Sequence, residues 1–409
     1  METPLQRVIL IVLDSVGVGA ARDAHRFGDE TAHTLRHIGE WCAVHKTDYS
    51  LPNLARWGLG RLVDSFGIPK DPAPKAAYGV MRELSPGKDT TTGHWEMAGT
   101  VLREEFPVFE KGFAKELLDA WATENGLPGW LCNLPYSGTH VIDDYGEEHL
   151  RTGKPIVYTS GDSVLQIAWS EEKFGLDKLY AISKSARKYL DPLGVGRVIA
   201  RPFTGSQKGE YRRTENRRDY SVPPPQPNLL DVLRERGHFV AGVGKIEDIF
   251  AHRSVNLVEH TGRNETSLDA TLEMMERTKG QKGLIFTNLI DFDQLHGHRR
   301  NPGTYAEALM HFDAFLPKLE AACGPDDVLV LTADHGNDPT HSGSDHTREN
   351  VPLLVWSPRK SFRPQALGEL EGFTTVARLA LETLGLGADN ARLDGANRAP
   401  AVAAGLGIG

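Results

Sequence analysis

The stretch RVILIVLD, residues 7–14, is a short run rich in β-branched and aliphatic residues that stops at an aspartate. Without polar alternation it reads as a strand covered on both faces, as in a parallel sheet. Four more runs have the same character: HFVAGVGK (238–245), GLIFTNLID (283–291), DVLVLTAD (327–334) and VPLLVWS (351–357). Helix-like segments lie between them. NLLDVLRERG (228–237) ends at a glycine, NETSLDATLEMMERTKG (264–280) opens with an Asn cap candidate, and TYAEALMHFDAFLPKLEAAC (304–323) has apolar positions at helical spacing. The alternation predicts an α/β domain with a mainly parallel sheet flanked by helices.

Working outward, the pattern covers both ends of the chain but not the middle. At 409 residues the chain exceeds the roughly 250–300 at which one core stops growing, so a second unit is expected. Residues 103–221 are richer in loops and aromatics and are followed by the stiff segment VPPPQP (222–227). The expected organisation is a core of residues 1–102 and 222–409 with an inserted α+β cap domain at 103–221, whose own apolar runs are KPIVYTS and VGRVIARPF. The tail from DGANRAP onward reads as weakly ordered.

Composition narrows the partners. The net charge is −9 and the one basic cluster is RRTENRRDY (212–220), which leaves nucleic acid without support and favours a small molecule. Cys42, Cys132 and Cys323 are few, scattered and free of CxxC spacing, which suits a reducing compartment. The N-terminus lacks signal-peptide character, and no apolar run reaches the ~18–20 residues that span a bilayer. The expectation is a cytoplasmic protein with no membrane partner.

Three of the strand-like runs end in aspartate, at Asp14, Asp291 and Asp334. Ligands of open α/β sheets bind beyond the carboxyl ends of strands, so these carboxylates could meet at one edge; a single such Asp is more often a turn or cap residue. Histidines follow two of them, in IDFDQLHGHRR (290–300) and LTADHGNDPTHSGSDHTRE (331–349). In the first, Asp293 with His298 competes with Asp291 and His296; the second offers Asp334, His335 and His346. Oxygen and imidazole donors suit Mn²⁺, Zn²⁺ or Fe²⁺, and the lack of nearby cysteine disfavours structural zinc.

Other segments carry weaker signals. SPGKDTTTGHWEMAGT (85–100) sets three threonines where a helix can start, which fits either a phosphate site or an ordinary N-cap. In VGRVIARPF, Arg197, Ile199 and Arg201 share a face if the segment is a strand, and arginine forks match phosphate oxygens. Ser160 and Asp162 in YTSGDSVLQ could meet a sugar hydroxyl or form an Asx turn, and Lys245 could meet phosphate or water. The GxG of DSVGVGAA lacks the third glycine of a dinucleotide fingerprint.

Taken together, VLDSVGVG, GKDTTTGHWE, SGTHVIDDYGEEHLRTGKPIVYTSGDSVLQIA, GRVIARPFTG, RRTENRRDY, GKIEDIF, TNLIDFDQLHGHRR and ADHGNDP…SDHTRE resemble the phosphopentomutase family of the alkaline phosphatase superfamily, in consistent order from about residue 7 to 358. The resemblance implies a two-metal core with a cap, interconverting ribose (or deoxyribose) 1-phosphate and 5-phosphate through a pentose bisphosphate. It implies two divalent ions, usually Mn²⁺ with Zn²⁺ or Mg²⁺ as alternatives, and priming by a sugar bisphosphate activator. By motif, Thr90 would be the phosphorylated residue. One ion would take Asp14, Asp334 and His335, the other Asp293, His298 and His346; Ser160, Asp162, Arg197, Ile199, Arg201 and Lys245 would touch the sugar phosphate. Three aspartates and two divalent ions leave one positive charge, which a phosphothreonine dianion nearly balances.

The chain departs from the family pattern at Arg22, His33, Gly161, Ser170-Glu171 and His341-Ser342, and resembles it only faintly after residue 365. None of these is a proposed ligand or Thr90. The competing readings are a paralogous mutase acting on a related sugar phosphate, a metal-dependent phosphohydrolase of the same superfamily, and a non-catalytic sugar-phosphate binder.

Overall fold

The computed structural model describes residues 5–160, 163–225, 227–395, 403, 405 and 407. The chain forms two compact units, Met1–Glu104 with Pro224–Gly409, and Glu105–Pro223. Asp162 and most of the tail after residue 395 lie outside the described residues.

The first unit is built on an eight-stranded sheet. Its spatial order is Leu257–Glu259, Phe239–Val243, Gly283–Leu289, Arg7–Leu13, Asp327–Thr332, Val351–Trp356, Ala77–Arg82 and Ala366–Glu371. The first five pair in parallel. All seven residues of the Arg7–Leu13 strand are buried, and each fully covered Val, Leu or Ile contributes about 1.5–3 kcal/mol.

Val351–Trp356 corrects the parallel reading of VPLLVWS, since it pairs antiparallel with both neighbours. The segment joining it to Thr332 contains no crossover helix, so the chain can only turn back on itself. Three strands carry no continuous apolar run. Ala77–Arg82 alternates buried with half-buried positions, Leu257–Glu259 is three residues long, and Ala366–Glu371 is a largely exposed edge.

The helices also refine the expectation. Asn228 caps Leu229–Glu235 through a reciprocal box with Asp231. Asn264 is not a cap but the first residue of helix Asn264–Arg277; the carboxylate that accepts its backbone N–H, at 2.9 Å, belongs to Asp291. Pro302–Ala322 starts two residues earlier than its apolar spacing suggests, with a proline in the first turn and Asn301 capping Thr304.

The second unit has a sheet of Leu131–Pro135, Ile156–Thr159, Val164–Ser170, Arg197–Thr204 and Arg212–Arg213, with Arg218–Ser221 also paired to Arg197–Thr204. One face packs Val157, Leu165, Ile167, Val198 and Ala200 against helices Lys115–Glu124 and Leu176–Leu190 through Leu118, Trp121, Leu179 and Ile182. The other packs Ile156, Tyr158, Ala168 and Phe203 against Val141 and Ile142 of helix His140–Thr152.

Candidate metal centre

Register brings the carboxylates together. Leu13 pairs with Leu289 and Val12 with Thr332, so the chain leaves three adjacent parallel strands at one level and delivers Asp14, the 290–298 segment and Asp334 to the same edge. The ligand atoms of Asp14, Asp334 and His335 lie within 4.8 Å of one another, as do those of Asp293, His335 and His346, and all are buried. His298 Nε2 sits 3.1 Å from Asp293 Oδ2 and 3.2 Å from His346 Nε2.

Hydrogen bonding fixes which nitrogen each ring offers. His335 Nδ1 lies 3.0 Å from Gly336 O and His298 Nδ1 lies 2.6 Å from Ser344 O. A carbonyl only accepts, so both Nδ1 atoms carry the proton and both Nε2 atoms present a lone pair. His335 thus has one donor nitrogen and can serve one ion; His298 can complete the set around Asp293.

The alternative pair goes elsewhere. Asp291 accepts from Arg263 Nε at 3.1 Å and Asn264 N at 2.9 Å, and His296 Nδ1 lies 2.7 Å from Thr304 Oγ1. A widened turn explains the split. His298 N donates to Asp293 O, a five-residue step, so residues five apart return to the same side.

The donor set suits cations. Asp14 Oδ1 and Asp334 Oδ2 are buried and accept no well-directed hydrogen bond among the described residues. Burial, then Asp334 and Asp293, push the Asp14 carboxyl well above its ordinary pKa. Burial opposes ionisation of Asp293 and Asp334 too; positive charge on the neighbouring imidazoles, His346 and His298 for the first and His335 with His94 for the second, lowers both, and neutral rings would leave a metal ion to supply that charge. Crowded carboxylates facing imidazole lone pairs cost free energy unless cations sit between them.

Thr90 stands beside this cluster, with Oγ1 3.1 Å from His335 Nε2. It is the first residue of helix Thr90–Met97, capped by Asp89, which accepts from Thr91 N at 3.0 Å and Thr92 N at 3.1 Å. The helix rides close to the Asp334 backbone, since a Cβ on Gly93 would fall 2.2 Å from Asp334 O. Glu96 anchors the preceding loop by accepting from Leu84 N at 2.9 Å and Ser85 N at 2.6 Å, while buried Arg348 pairs with Glu83 and donates to Gly87 O.

Sequence reasoning missed the polar groups behind the candidate ligands. Asn288 Nδ2 donates to Asp14 Oδ2 at 2.8 Å, and Asn337 Nδ2 donates to Asp293 Oδ1 at 2.7 Å. His94 Nδ1 lies 2.8 Å from Thr90 O and 3.2 Å from Asp334 Oδ2. A polar Asn inside the apolar run GLIFTNLID was the available signal.

In the second unit, Arg197, Ile199 and Arg201 alternate along one strand and share a face. Arg201 Nε donates to Gln166 Oε1 at 2.7 Å, Arg197 Nη1 lies 3.8 Å from Asp219 Oδ2, and Ile199 is buried between Gln166 and Asp219 in register. Arg217, which motif reading did not single out, forks Asp219 with two 2.6 Å bonds. Burial, then Arg217, lower the Arg201 pKa to about 10. Ser160 follows the Ile156–Thr159 strand and is half-buried; in the first unit Lys245 Nζ lies 3.3 Å from Gln294 Oε1. Among the departures, Ser170 caps a short helix by accepting from Lys173 N, and Arg22 faces Glu369 at the surface.

The model of the metalloenzyme superfamily matches residues 6–388. The phosphopentomutase of Caldanaerobacter subterraneus subsp. tengcongensis is 48% identical over 384 residues, covering 94% of this chain and 95% of that protein. Those of Anaeromyxobacter dehalogenans and Tolumonas auensis are 50% and 46% identical, covering 88% and 91% of this chain and 90% and 95% of their own lengths. The chain belongs to the phosphopentomutase family.

Proposed function

We propose that this chain is an isomerase interconverting ribose 1-phosphate, or deoxyribose 1-phosphate, and the corresponding 5-phosphate. The observation that carries the reading is a threonine hydroxyl at a helix start, 3.1 Å from one member of two adjoining buried sets of oxygen and nitrogen donors. Asp14, Asp334 and His335 would hold one divalent ion and Asp293, His298 and His346 the other. Mn²⁺ matches the mixed carboxylate and imidazole donors, as do Zn²⁺ and, less closely, Mg²⁺. Bound ions would supply Lewis-acid charge at the phosphoryl oxygens and lower the pKa of the Thr90 hydroxyl.

Thr90, once phosphorylated, passes its phosphoryl group to the free hydroxyl of a pentose monophosphate. The P–O bond to Thr90 breaks as the new ester bond forms, and the proton of the attacking hydroxyl ends on the Thr90 oxygen, giving a 1,5-bisphosphate. The other phosphate then returns to Thr90 as its own P–O bond to the sugar breaks, the Thr90 proton ends on the freed sugar oxygen, and the isomeric monophosphate departs. Asp89 caps the helix by accepting from Thr91 N and Thr92 N, which fixes the backbone that carries Thr90 for both transfers. Arg197 and Arg201 of the inserted cap, with Ser160, Asp162, Ile199 and Lys245, are the proposed contacts to the sugar phosphate. A sugar bisphosphate primes the unphosphorylated threonine.

The test is phosphorus NMR of ribose 5-phosphate with the Mn²⁺-loaded protein primed by a hexose bisphosphate. Ribose 1-phosphate is expected with the native protein and is abolished by Thr90→Ala. Isomer formation that survives the substitution rejects the phosphothreonine route, and steady release of inorganic phosphate without isomer identifies a phosphohydrolase.

A further inference from the structure

We infer that Arg300 is the positioning residue that assembles the His298 and His346 half of the metal centre, and that it acts on that half alone. This rests on the ligand sets proposed above. Arg300 touches no proposed ligand side chain. Its guanidinium instead ties the 337–345 loop to the turn that carries His298. Nε donates to Gly343 O at 2.6 Å and Nη2 to Asp345 O at 2.8 Å, while the two N–H groups of Nη1 are shared among Asn337 Oδ1 at 2.5 Å, Asp338 O at 2.8 Å and Gly297 O at 3.2 Å.

Three of these bonds, to Asn337, Gly343 and Asp345, reach members of the set through one intermediate. Asn337, with its amide oxygen held by Arg300, can only turn its Nδ2 toward Asp293 Oδ1, 2.7 Å away. Gly343 and Asp345 flank Ser344, whose carbonyl receives the His298 Nδ1 proton and leaves Nε2 free. Asp345 also precedes His346 in the chain. The loop has no regular structure of its own, and Ser342 to Asp345 are exposed. Without a cross-link, the entropy of ordering it would oppose ion binding.

The other set needs no such device. Asp14 and Asp334 leave the ends of paired strands, and Asp334 Oδ1 accepts from Ser15 N at 3.0 Å. Outer partners of metal ligands typically change affinity 10–100-fold when removed. The two ions should therefore separate in affinity when the guanidinium is lost.

The experiment measures Mn²⁺ stoichiometry by equilibrium dialysis with elemental analysis, and the exchange-coupled EPR signal of the ion pair, for native protein, Arg300→Met, Arg300→Lys and His298→Ala. Native protein should bind two ions and show coupling. Arg300→Met should keep one ion at native affinity and bind the second about 10–100-fold more weakly, so that the coupled signal gives way to an isolated-ion spectrum. Arg300→Lys, which keeps the charge but only part of the fork, should fall between, and His298→Ala should match or exceed Arg300→Met. Two ions at native affinity in Arg300→Met, or equal weakening of both, overturns the inference. If Arg300→Met fails to fold, Arg300→Lys with native binding at both sites overturns it equally. Fewer than two ions in the native protein, or two in His298→Ala at native affinity, would reject the ligand reading itself.

Discussion

In the core unit the crowded groups are carboxylates, Asp14, Asp293 and Asp334, and burial with mutual repulsion raises the Asp14 pKa. In the inserted unit they are guanidinium groups, and burial followed by Arg217 brings Arg201 down to about 10, with Tyr158 and Asp219 pulling the other way. The core unit crowds three buried carboxylates, whereas the inserted unit sets Arg197 and Arg217 against Asp219 and gives half-buried Arg201 a neutral partner, Gln166. Under the proposed function, divalent ions would balance the first and the phosphate ester would meet the second.

The largest test of this contrast is Asp334→Asn. Removing one carboxylate should relieve repulsion but lose ion charge at the reacting oxygens, costing about 4 kcal/mol, or roughly a thousandfold in turnover. A variant that retains both ions and native turnover, read by elemental analysis and steady-state assay, would break the core half of the comparison.

The inserted unit also contains a buried base with no part in either cluster. Burial lowers the His149 pKa to about 4, and the ring stays neutral with Nδ1 donating to Lys154 O at 2.7 Å and Nε2 accepting from Ser170 N at 2.9 Å. The unfolded chain takes up this proton near pH 6.5, so the stabilisation is complete above that pH. It is lost as pH falls toward 4, by on the order of 3 kcal/mol. Denaturant melts across this window should lose stability more steeply in native protein than in His149→Gln; equal slopes would remove His149 from the account.

Arg201→Met sharpens the anion half. The Michaelis constant for pentose phosphate should rise about 30-fold, roughly 2 kcal/mol, with ion content unchanged. A base with a depressed folded pKa destabilises the fold at every pH below that value, so the same variant should melt at a higher temperature despite losing the Gln166 bond. A native Michaelis constant with a lower melting temperature would make Arg201 a structural residue.

The smallest effect belongs to Asn288→Ala, which withdraws the amide that orients Asp14. Mn²⁺ affinity should weaken about tenfold, read by dialysis, with the fold intact. Unchanged affinity would show that strand geometry alone holds Asp14.

These tests divide along what could be read from residues. Asp14 and Asp334 were legible because an apolar run of fixed direction announces its own carboxyl end. Spacing could not choose between Asp293 with His298 and Asp291 with His296, because the choice depends on a widened turn and on helix Asn264–Arg277 claiming Asp291. The edge strands were hidden because a half-exposed strand carries no run to notice. Asn337 and Arg300 were invisible for another reason: they act through partners 37 to 45 positions away in the chain.

The antiparallel return of Val351–Trp356 has a practical outcome. Because the chain doubles back without a covering helix, the segment between Thr332 and Val351 has both ends sewn into neighbouring strands and its tip, Ser342 to Asp345, open to solvent. A broad-specificity protease should nick there first, leaving two fragments of very unequal size that stay together until denatured. Protection of that single bond region by added Mn²⁺ would turn a stained gel into a readout of loading.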